Sequence, residues 1–514
     1  MSMFLKLLQL EVSVKTILVG LVALYLVVLS AGFLFLGSNS LFDGTTASLG
    51  LALGVFVLVS LWSSPASMFP QVAMLTLYFL LYGFPRIAGY LLWPDAVTFP
   101  FGEGIGKAEI NLGLLYILAG TVVILVGILL ADTLTRNHAQ VVSSTPILDD
   151  DHPLAALFMA FITVMLFDWF TTVFLDVSNL GKLRLETGNS YVQLLKGLFG
   201  FDMAYFVVLI ALFLRGRKEQ GTYLMIVICS VLYILYSSFL GSRSTGLRVL
   251  LMLFAILIAT RPSFKAPLIR YCSIILILIV ASLCVYPLAT QRRFDINRQY
   301  QKTLDKVPPQ ERTRDGTDLY GDIPRLFITL SNRFQLIDYS ILVLSQKGNP
   351  EEKSKYMKLD YALKSIMNYI VPGVIFQEAE LDTSRVLAII YRGFSEDYVK
   401  SHGHFSEFWT GWGLAYVLFG WYGGLAALCF AGFVLQLFYV LVHVISGKYR
   451  AYLASWYILL APMLVYASSG LDHTVTTAGV LLLQTTVVVI LLSLWGTAFR
   501  WVRSPSRSNV TLPK

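Results

Sequence analysis

The sequence predicts an all-α, polytopic integral membrane protein with about 12 transmembrane helices and a large helical extracytoplasmic loop. Of the 514 residues, 56% are hydrophobic and only 14% are charged, and the mean hydropathy of +0.69 is far above that of soluble globular chains. Apolar runs recur from residue 17 to residue 494, and each is long enough to cross the roughly 30 Å hydrocarbon core. Within lipid the backbone must satisfy its own hydrogen bonds, so these runs are predicted to be helices.

The first apolar run follows Lys6 and Lys15 and covers residues 17–36. It is too long for the apolar region of a signal peptide and lacks a convincing cleavage site, so we expect a retained first span. We interpret the remaining apolar runs as transmembrane spans too. The predicted spans lie near residues 17–37, 47–63, 71–93, 111–131, 154–175, 199–214, 222–240, 244–260, 271–290, 423–445, 451–469 and 475–498.

The distribution of Lys and Arg predicts which ends of the spans face the cytoplasm. If the N-terminus is cytoplasmic, about 15 Lys and Arg residues lie in cytoplasmic segments and about six lie in the short outer loops. That excess on the inner side is the bias expected of short loops. Both termini are therefore predicted to be cytoplasmic.

Four regions follow from this topology. Residues 1–290 form a nine-span transmembrane block, 291–408 an extracytoplasmic (periplasmic) loop, 409–500 a three-span block and 501–514 a cytoplasmic tail. The loop holds about 17 of the 39 Lys and Arg residues and about 16 of the 31 acidic residues. Its stretches 324–344 and 356–370 have helical apolar spacing, which predicts amphipathic helices lying against the outer membrane face.

Arginines at the predicted outer ends of the spans are the first candidate functional residues. "SSFLGSRSTGLRVLLMLFAILIAT" (237–260) places Arg243 and Arg248 where the insertion bias does not explain a positive charge. Arg243 lies among small residues that let backbone N–H groups and its guanidinium converge on one anion. The structural alternative is an arginine that reaches lipid headgroups or pairs with a loop carboxylate. The other outer arginines are Arg86 in "YGFPRIAGY", Arg184 in "GKLRLETGNSY", and Arg292 and Arg293 in "YPLATQRRFDINR".

A second group of candidates precedes the predicted tenth span. "YVKSHGHFSEFWTGWGLAYVLFGWYGG" (398–424) contains His404 and Glu407, whose i,i+3 spacing puts them on one face of a helix and could form a general base. A structural hydrogen bond between them is the alternative. Trp409 and Trp412 are either membrane anchors or ligand contacts. "SSGLDHTV" (468–475) adds Asp472 and His473 at the outer side.

These features together resemble the Wzy-type oligosaccharide-repeat-unit polymerases of bacterial O-antigen, enterobacterial common antigen and capsule synthesis. The likeness lies in about a dozen spans with a large late periplasmic loop, and in the order of short landmarks. The landmarks are "GFP" (83–85), "LRL" (183–185), "GSR" (241–243), "YIVPG" (369–373), "GHFSEFWTGWG" (403–413) and "GLD" (470–472).

The resemblance implies a membrane glycosyltransferase of the bacterial inner membrane. It would transfer a growing glycan from undecaprenyl diphosphate to a lipid-linked repeat at the periplasmic face, without a metal or other cofactor. Arg243 is implied to be catalytic, with Glu407, His404 and His473 as candidate bases. The implied substrate-binding residues are Arg86, Arg184, Arg248, Arg292, Arg293, Trp409, Trp412 and Asp472. The implied partners are undecaprenyl-diphosphate-linked oligosaccharides, the lipid bilayer, a chain-length regulator and a flippase, and no nucleic acid.

Two other functions stay open at this point. An O-antigen-ligase-type enzyme would transfer a finished glycan from the same carrier to a different acceptor. A transporter or flippase of lipid-linked glycans usually carries ionisable residues at mid-membrane depth. Asp168 in "MLFDWFTTV" is the principal residue that favours transport.

Overall fold

A computed structural model of the chain shows a mostly helical protein. The residues that it describes are 11–97, 99, 104–144, 154–173, 201–214, 220–239, 245–260, 265–267, 269, 272–278, 280–281, 284, 336–345, 348–370, 381, 383–401, 409–444, 454, 457–458, 467–468 and 471–503.

The transmembrane part consists of apolar helices. These are α1 (Val14–Leu36), α2 (Gly44–Ser63), α3 (Phe69–Leu92), α4 (Lys107–Ser144), α5 (Leu154–Val173), α6 (Phe201–Leu214), α7 (Gln220–Phe239) and α8 (Thr245–Thr260). Shorter helices come next: α9 (Leu336–Leu344), α10 (Pro350–Tyr356), α11 (Leu359–Ile370), α12 (Thr383–Arg392) and α13 (Glu396–Ser401). Two long helices follow, α14 (Gly411–Val444) and α15 (Leu471–Arg503).

Eight of the described helices contain a segment long and apolar enough to cross a bilayer. The all-α prediction is confirmed for the described residues, apart from two very short strand pairs. The predicted spans near 199–214 and 244–260 correspond to the shorter helices α6 and α8. Half of the span near 271–290 and most of the span near 451–469 lie outside the described residues.

Polar side chains define where several helices begin. Ser13 is the N-cap of α1, and its hydroxyl accepts a hydrogen bond from the amide of Thr16. Asp43 is the N-cap of α2 in a capping box with Thr46. Hydrogen bonds to the Asp43 carboxylate, chiefly from the Thr46 amide, lower its pKa from the ordinary value. Both caps supply partners for backbone donors that the first helical turn would leave without one.

Contacts between sequence-distant polar groups collect at two opposite ends of the bundle. At one end, Asn39 donates to the carbonyl of Tyr90 over 2.9 Å, and Thr46 donates to Asn111 over 2.7 Å. These groups lie in the α1–α2 connection, at the last turn of α3 and in the first turns of α2 and α4. Because Arg86 is in the adjacent turn of α3, we refer to this as the Arg86 end.

The other end carries a second set of polar contacts, and we refer to it as the Lys15 end. The Lys15 ammonium donates to the carbonyl of Ser64 over 3.2 Å. The Gln436 amide donates to the Ser67 carbonyl over 3.2 Å and to Asp132 over 3.0 Å. The two sets agree with α1 to α4 running alternately up and down, as the predicted topology requires.

Among the described helices, α4 and α14 form the most extensive pair, and glycines set their close approach. A Cβ built on Gly432 would lie 3.0 Å from the carbonyl carbon of Ile124, and one built on Gly127 would lie 2.9 Å from that of Cys429. Both distances are to backbone atoms, so the two helix backbones are in direct contact. Close packing through small residues is a common way for helices to associate in membranes.

Helix α14 is interrupted at Gly420, whose φ of 69° and ψ of −167° are not helical. The segment 411–419 folds back on the following helix, because a Cβ on Gly424 would lie 2.9 Å from the backbone of Ala415. The predicted tenth span, residues 423–445, therefore covers only the second arm of a helical hairpin. Glycine suits the turn because side-chain-bearing residues rarely adopt this backbone conformation.

The short strands join parts of the chain that are far apart in sequence. β1 (Glu11–Ser13) pairs antiparallel with β2 (Lys265–Pro267), and β3 (Trp409–Thr410) pairs antiparallel with β4 (Ala467–Ser468). The first pair attaches the start of α1 to the segment that follows α8. The second attaches the start of the α14 hairpin to the segment that precedes α15.

The described helices of residues 291–408 differ in their surroundings. Helix α11 has a buried face that includes Tyr361, Ala362 and Ser365 and an exposed face that includes Leu363 and Lys364. That 356–370 lies against the outer membrane face stays a prediction. Helix α9 differs from the surface position predicted for 324–344, because it packs inside the bundle against α4 and α14.

An exposed polar contact links α10 to α13. The Lys355 ammonium donates to Glu396 over 2.8 Å and to the Tyr356 hydroxyl over 2.7 Å. Burial is the main cause that raises the pKa of Tyr356 to about 12. The pKa of Lys355 is raised above its usual value, chiefly by the hydrogen bond to Glu396.

Candidate functional site

The site is built around an irregular turn in α3. Pro85 has no N–H to donate to the residue four positions earlier, so a regular α-helix cannot continue through it. The chain instead forms a π-helical turn at Phe79–Gly83, and the amide of Phe84 donates to the carbonyl of Phe79. Turns of this kind occur frequently at functional sites. The sequence "GFPR" thus determines how Arg86 is presented in the next turn.

Arg86 forms an ion pair with Asp338 of helix α9, and both side chains are completely buried. The hydroxyl of Tyr90, one turn after Arg86 on α3, donates to the Asp338 carboxylate. The predicted loop therefore contributes the carboxylate that neutralises this arginine. Pairing with a loop carboxylate is the structural alternative that the sequence left open for Arg243 and Arg248, and here it is observed for Arg86.

Aromatic rings frame the Arg86 guanidinium. The guanidinium carbon lies 5.5 Å from the ring centres of both Tyr90 and Phe99, and the two rings are nearly parallel, 6.0 Å apart. A cation at this distance from an aromatic ring is attracted by the ring's quadrupole, and the attraction grows when water is excluded. The result is a dry, cationic site shaped to hold one oxyanion, here the Asp338 carboxylate.

Two glycines leave space for helix α9 inside the bundle. A Cβ on Gly83 would lie 3.3 Å from the side chain of Ile337, and one on Gly113 would lie 3.1 Å from the Cα of Ile341. In α9 the side chains of Asp338, Ser340 and Ile341 have no exposed surface. The glycines of α3 and α4 thus provide the space in which Asp338 reaches Arg86.

A small cavity lies beside this contact, on the side of Gly83 and Ile337. Tyr78, Thr121 and Trp412 complete part of its wall, and its volume is sufficient for about one water molecule. The cavity is mostly apolar, so it is a packing gap next to the ion pair and has no room for a substrate in this state of the protein.

Trp412 lies in the interior and is 3% exposed. Its ring centre is 5.5 Å from that of Tyr78, and its indole nitrogen would be 2.8 Å from a Cβ on Gly120. Trp412 thus fixes the first arm of the α14 hairpin against α3 and α4. This interior position differs from the role of membrane anchor at the interface, which was one of the two interpretations of Trp412 from the sequence.

Two further carboxylates are held by tyrosines of α7. The Tyr236 hydroxyl donates to Asp168 of α5, and the Tyr233 hydroxyl donates to Asp202 of α6 over 2.6 Å. Asp168 is buried. One face of α7 thus holds a carboxylate from each of two neighbouring helices, in the helix that precedes the "GSR" segment.

The other predicted site residues are described only in part. Arg248 is on α8, Trp409 is in β3, and Asp472 and His473 are in the first turn of α15. The remaining predicted site residues, namely Arg184, Arg243, Arg292, Arg293, His404 and Glu407, lie outside the described residues. Of the predicted set, the structure brings Arg86 and Trp412 to the same region: Trp412 lines the cavity with Ile337, and Arg86 pairs with Asp338, the chain neighbour of Ile337.

Sequence reasoning missed Asp338, Tyr90 and Asp202. A signal for Asp338 was present, because it is a single carboxylate inside the apolar run "LIDYSILVL". An acidic residue in such a run requires a partner. No local pattern identifies that partner as Arg86, since the two residues are far apart in the chain.

The described helices define the class of protein, a multi-span helical membrane protein. Comparison of the chain with models of protein families, with curated proteins and with solved structures finds no match.

Proposed function

We propose that this protein is a membrane-embedded glycosyltransferase that polymerises undecaprenyl-diphosphate-linked oligosaccharide repeat units in surface polysaccharide synthesis. The proposal includes about 12 spans, cytoplasmic termini in the bacterial inner membrane and a periplasmic loop at 291–408. The observation that carries it is Arg86, a dehydrated guanidinium near one end of the bundle that already binds an oxyanion. The other predicted outer arginines would extend this site to a diphosphate.

Glycosyl transfer from a lipid diphosphate requires few catalytic side chains. A lipid diphosphate is a good leaving group, so the main requirement is stabilisation of the negative charge that develops as the glycosidic bond to it breaks. Arginines supply that stabilisation, and removal of one preorganised donor typically costs ~3 kcal/mol, or a hundredfold or more in rate. Glu407, His404 or His473 would accept the proton of the attacking acceptor hydroxyl.

The test is reconstitution of the purified protein with a defined lipid-linked repeat, with and without a metal chelator. We expect a ladder of polymer from the native protein and only the unreacted lipid-linked repeat from Arg243→Ala. Arg243→Lys keeps the charge but loses the two-pronged hydrogen bonding, so it should also be impaired. Arg261→Ala, in a predicted cytoplasmic loop, is the matched control and should make the full ladder. A full ladder from Arg243→Ala refutes the assignment of this residue.

A ligase of the O-antigen type is the alternative within the same chemistry. It would use the same diphosphate donor and the same arginines, with a different acceptor. Cells without the protein would accumulate single repeats if it is a polymerase and unattached long polymer if it is a ligase.

Transport of a lipid-linked glycan is favoured by one observation, the buried Asp168 held by Tyr236. Ionisable residues within membrane helices often mark substrate or ion pathways. Proteoliposomes containing Asp168→Asn distinguish the two functions. A transporter would lose translocation of the lipid-linked repeat, whereas the polymerase is expected to show no translocation in either form.

A further inference from the structure

We propose that Asp338 is an internal counter-anion, which occupies on Arg86 the position of a phosphate group and is displaced when an anionic ligand binds. The inference rests on the proposed function only for the identity of that ligand. The site itself is defined by the Arg86 guanidinium, the Tyr90 hydroxyl and the aromatic rings of Tyr90 and Phe99.

The groups around the carboxylate suit a phosphate equally well. A guanidinium binds the oxygens of carboxylates and phosphates in the same forked geometry, and a hydroxyl donates to either. Asp338 also lies in the first turn of α9, where the positive end of the helix dipole favours an anion. A phosphate carries more charge and more acceptor oxygens than a carboxylate, so it is the stronger ligand for these donors.

Stability alone does not explain the ion pair. Removing both charges from water costs several kcal/mol per ion, so a buried pair is often no more stable than an apolar pair of the same volume. The pair nevertheless keeps Arg86 charged, oriented and dry before any ligand arrives. An arginine prepared in this way can bind a new anion without having to be dehydrated first.

The position of Arg86 makes an approach from the end of the bundle short. Arg86 is six residues before Leu92, the last residue of α3, which at 1.5 Å per residue is about 9 Å. Phe99, in the connection that follows, covers the guanidinium. Withdrawal of Asp338 would also move its neighbour Ile337 away from Gly83 and enlarge the adjoining cavity.

The test is binding of two probes to the full-length protein in lipid nanodiscs, inorganic pyrophosphate in solution and undecaprenyl diphosphate in the bilayer. Asp338→Asn removes the internal competitor. If Asp338 occupies the site nine-tenths of the time or more, the variant should bind at least about tenfold more tightly. Tighter binding of both probes supports a general phosphate site, and tighter binding of the lipid alone supports a headgroup site. Unchanged or weaker binding of both overturns the inference.

Controls separate this effect from charge and from misfolding. Asp360→Asn makes the same substitution at an exposed carboxylate, paired with Lys364 over 2.9 Å, and should bind like the native protein. Arg86→Gln should lose binding whether or not Asp338 is replaced. If Asp338→Asn does not fold, Ser340→Cys in a chain whose four native cysteines are replaced by Ser reports on the native pair, because this buried position should react faster with a maleimide when undecaprenyl diphosphate is present. An unchanged rate overturns the inference.

Failure of the proposed function would be distinguishable, because binding is measured without polymerisation. Tighter binding by Asp338→Asn in a protein that makes no polymer would refute the polymerase and leave the inference intact. A polymer ladder with no change in binding would refute the inference alone.

Discussion

Substitution of Gly127 by Ala tests the packing of α4 on α14. The added Cβ would lie 2.9 Å from the carbonyl carbon of Cys429 and 2.9 Å from the amide nitrogen of Phe433, and closer still to the Cys429 oxygen. Ordinary contact begins at 3.4 Å, so the two 2.9 Å contacts alone require a separation of 0.5 Å, and the closer Cys429 oxygen requires more. Because the obstructing atoms belong to the backbone, no rotamer change relieves the clash.

The expected loss is about 3 kcal/mol, at the upper end of the usual cost of overpacking, because the separation weakens contacts along the whole helix pair. The measurement is thermal unfolding of the purified protein in detergent. Gly20→Ala is the matched control, since nothing lies within 4 Å of its Cβ position on α1. Alanine is a better helix former than glycine, so this variant should be as stable as the native protein or more stable. Equal melting temperatures of Gly127→Ala and Gly20→Ala would refute the packing argument.

Two further predictions concern charged groups. Arg86→Met should cost about 3–5 kcal/mol because it leaves the Asp338 carboxylate buried alone, and adding Asp338→Leu should recover most of the loss. A double-mutant cycle by thermal unfolding measures this coupling, and additive losses would contradict it. Asp43→Ala should cost about 1 kcal/mol by removing the N-cap of α2. Since the folded-state pKa of Asp43 is lowered, its contribution is present above the ordinary value of 3.8 and is lost as the pH falls through the folded-state value. A difference from the native protein that stays constant down to pH 2 would argue against this role of the carboxylate.

The sequence predicts the long helices well because each is determined by its own length and apolarity. The predicted span at 47–63 corresponds to the helix Gly44–Ser63 in the structure, and the predicted span at 222–240 corresponds to the helix Gln220–Phe239. Both helices begin two or three residues before the predicted spans, and the N-cap Asp43 sets the first residue of α2. No tertiary information is needed for this level of description.

The position of α9 could not be predicted in the same way. Its sequence mixes polar and apolar residues at helical spacing, which is also how a surface helix looks. In the structure Asp338 contacts Arg86 and α9 packs against α4 and α14, so the polar residues Asp338 and Ser340 are buried as well as the apolar ones. Only the partner, far away in the chain, distinguishes an interior helix from a surface helix.

The turn at Gly420 was missed for a related reason. Glycine and aromatic residues around it fit a membrane-interface segment as well as a hairpin. In the folded-back segment 411–419, Trp412 packs against Gly120, and this is a contact between segments that are far apart in sequence. For the candidate site, the sequence therefore identified Arg86 as important and left its binding partner undetermined.

Biosynthesis of the chain is constrained by the pairing of Glu11–Ser13 with Lys265–Pro267. The ribosome must complete residue 267, just over half of the 514, before the first strand acquires its neighbour. Helices α1 to α8 are all translated in that interval, and during this time the strand Glu11–Ser13 has no partner strand. The first helix is therefore attached through β1 only after just over half of the chain has been made, although it is the first helix of the described chain to be translated.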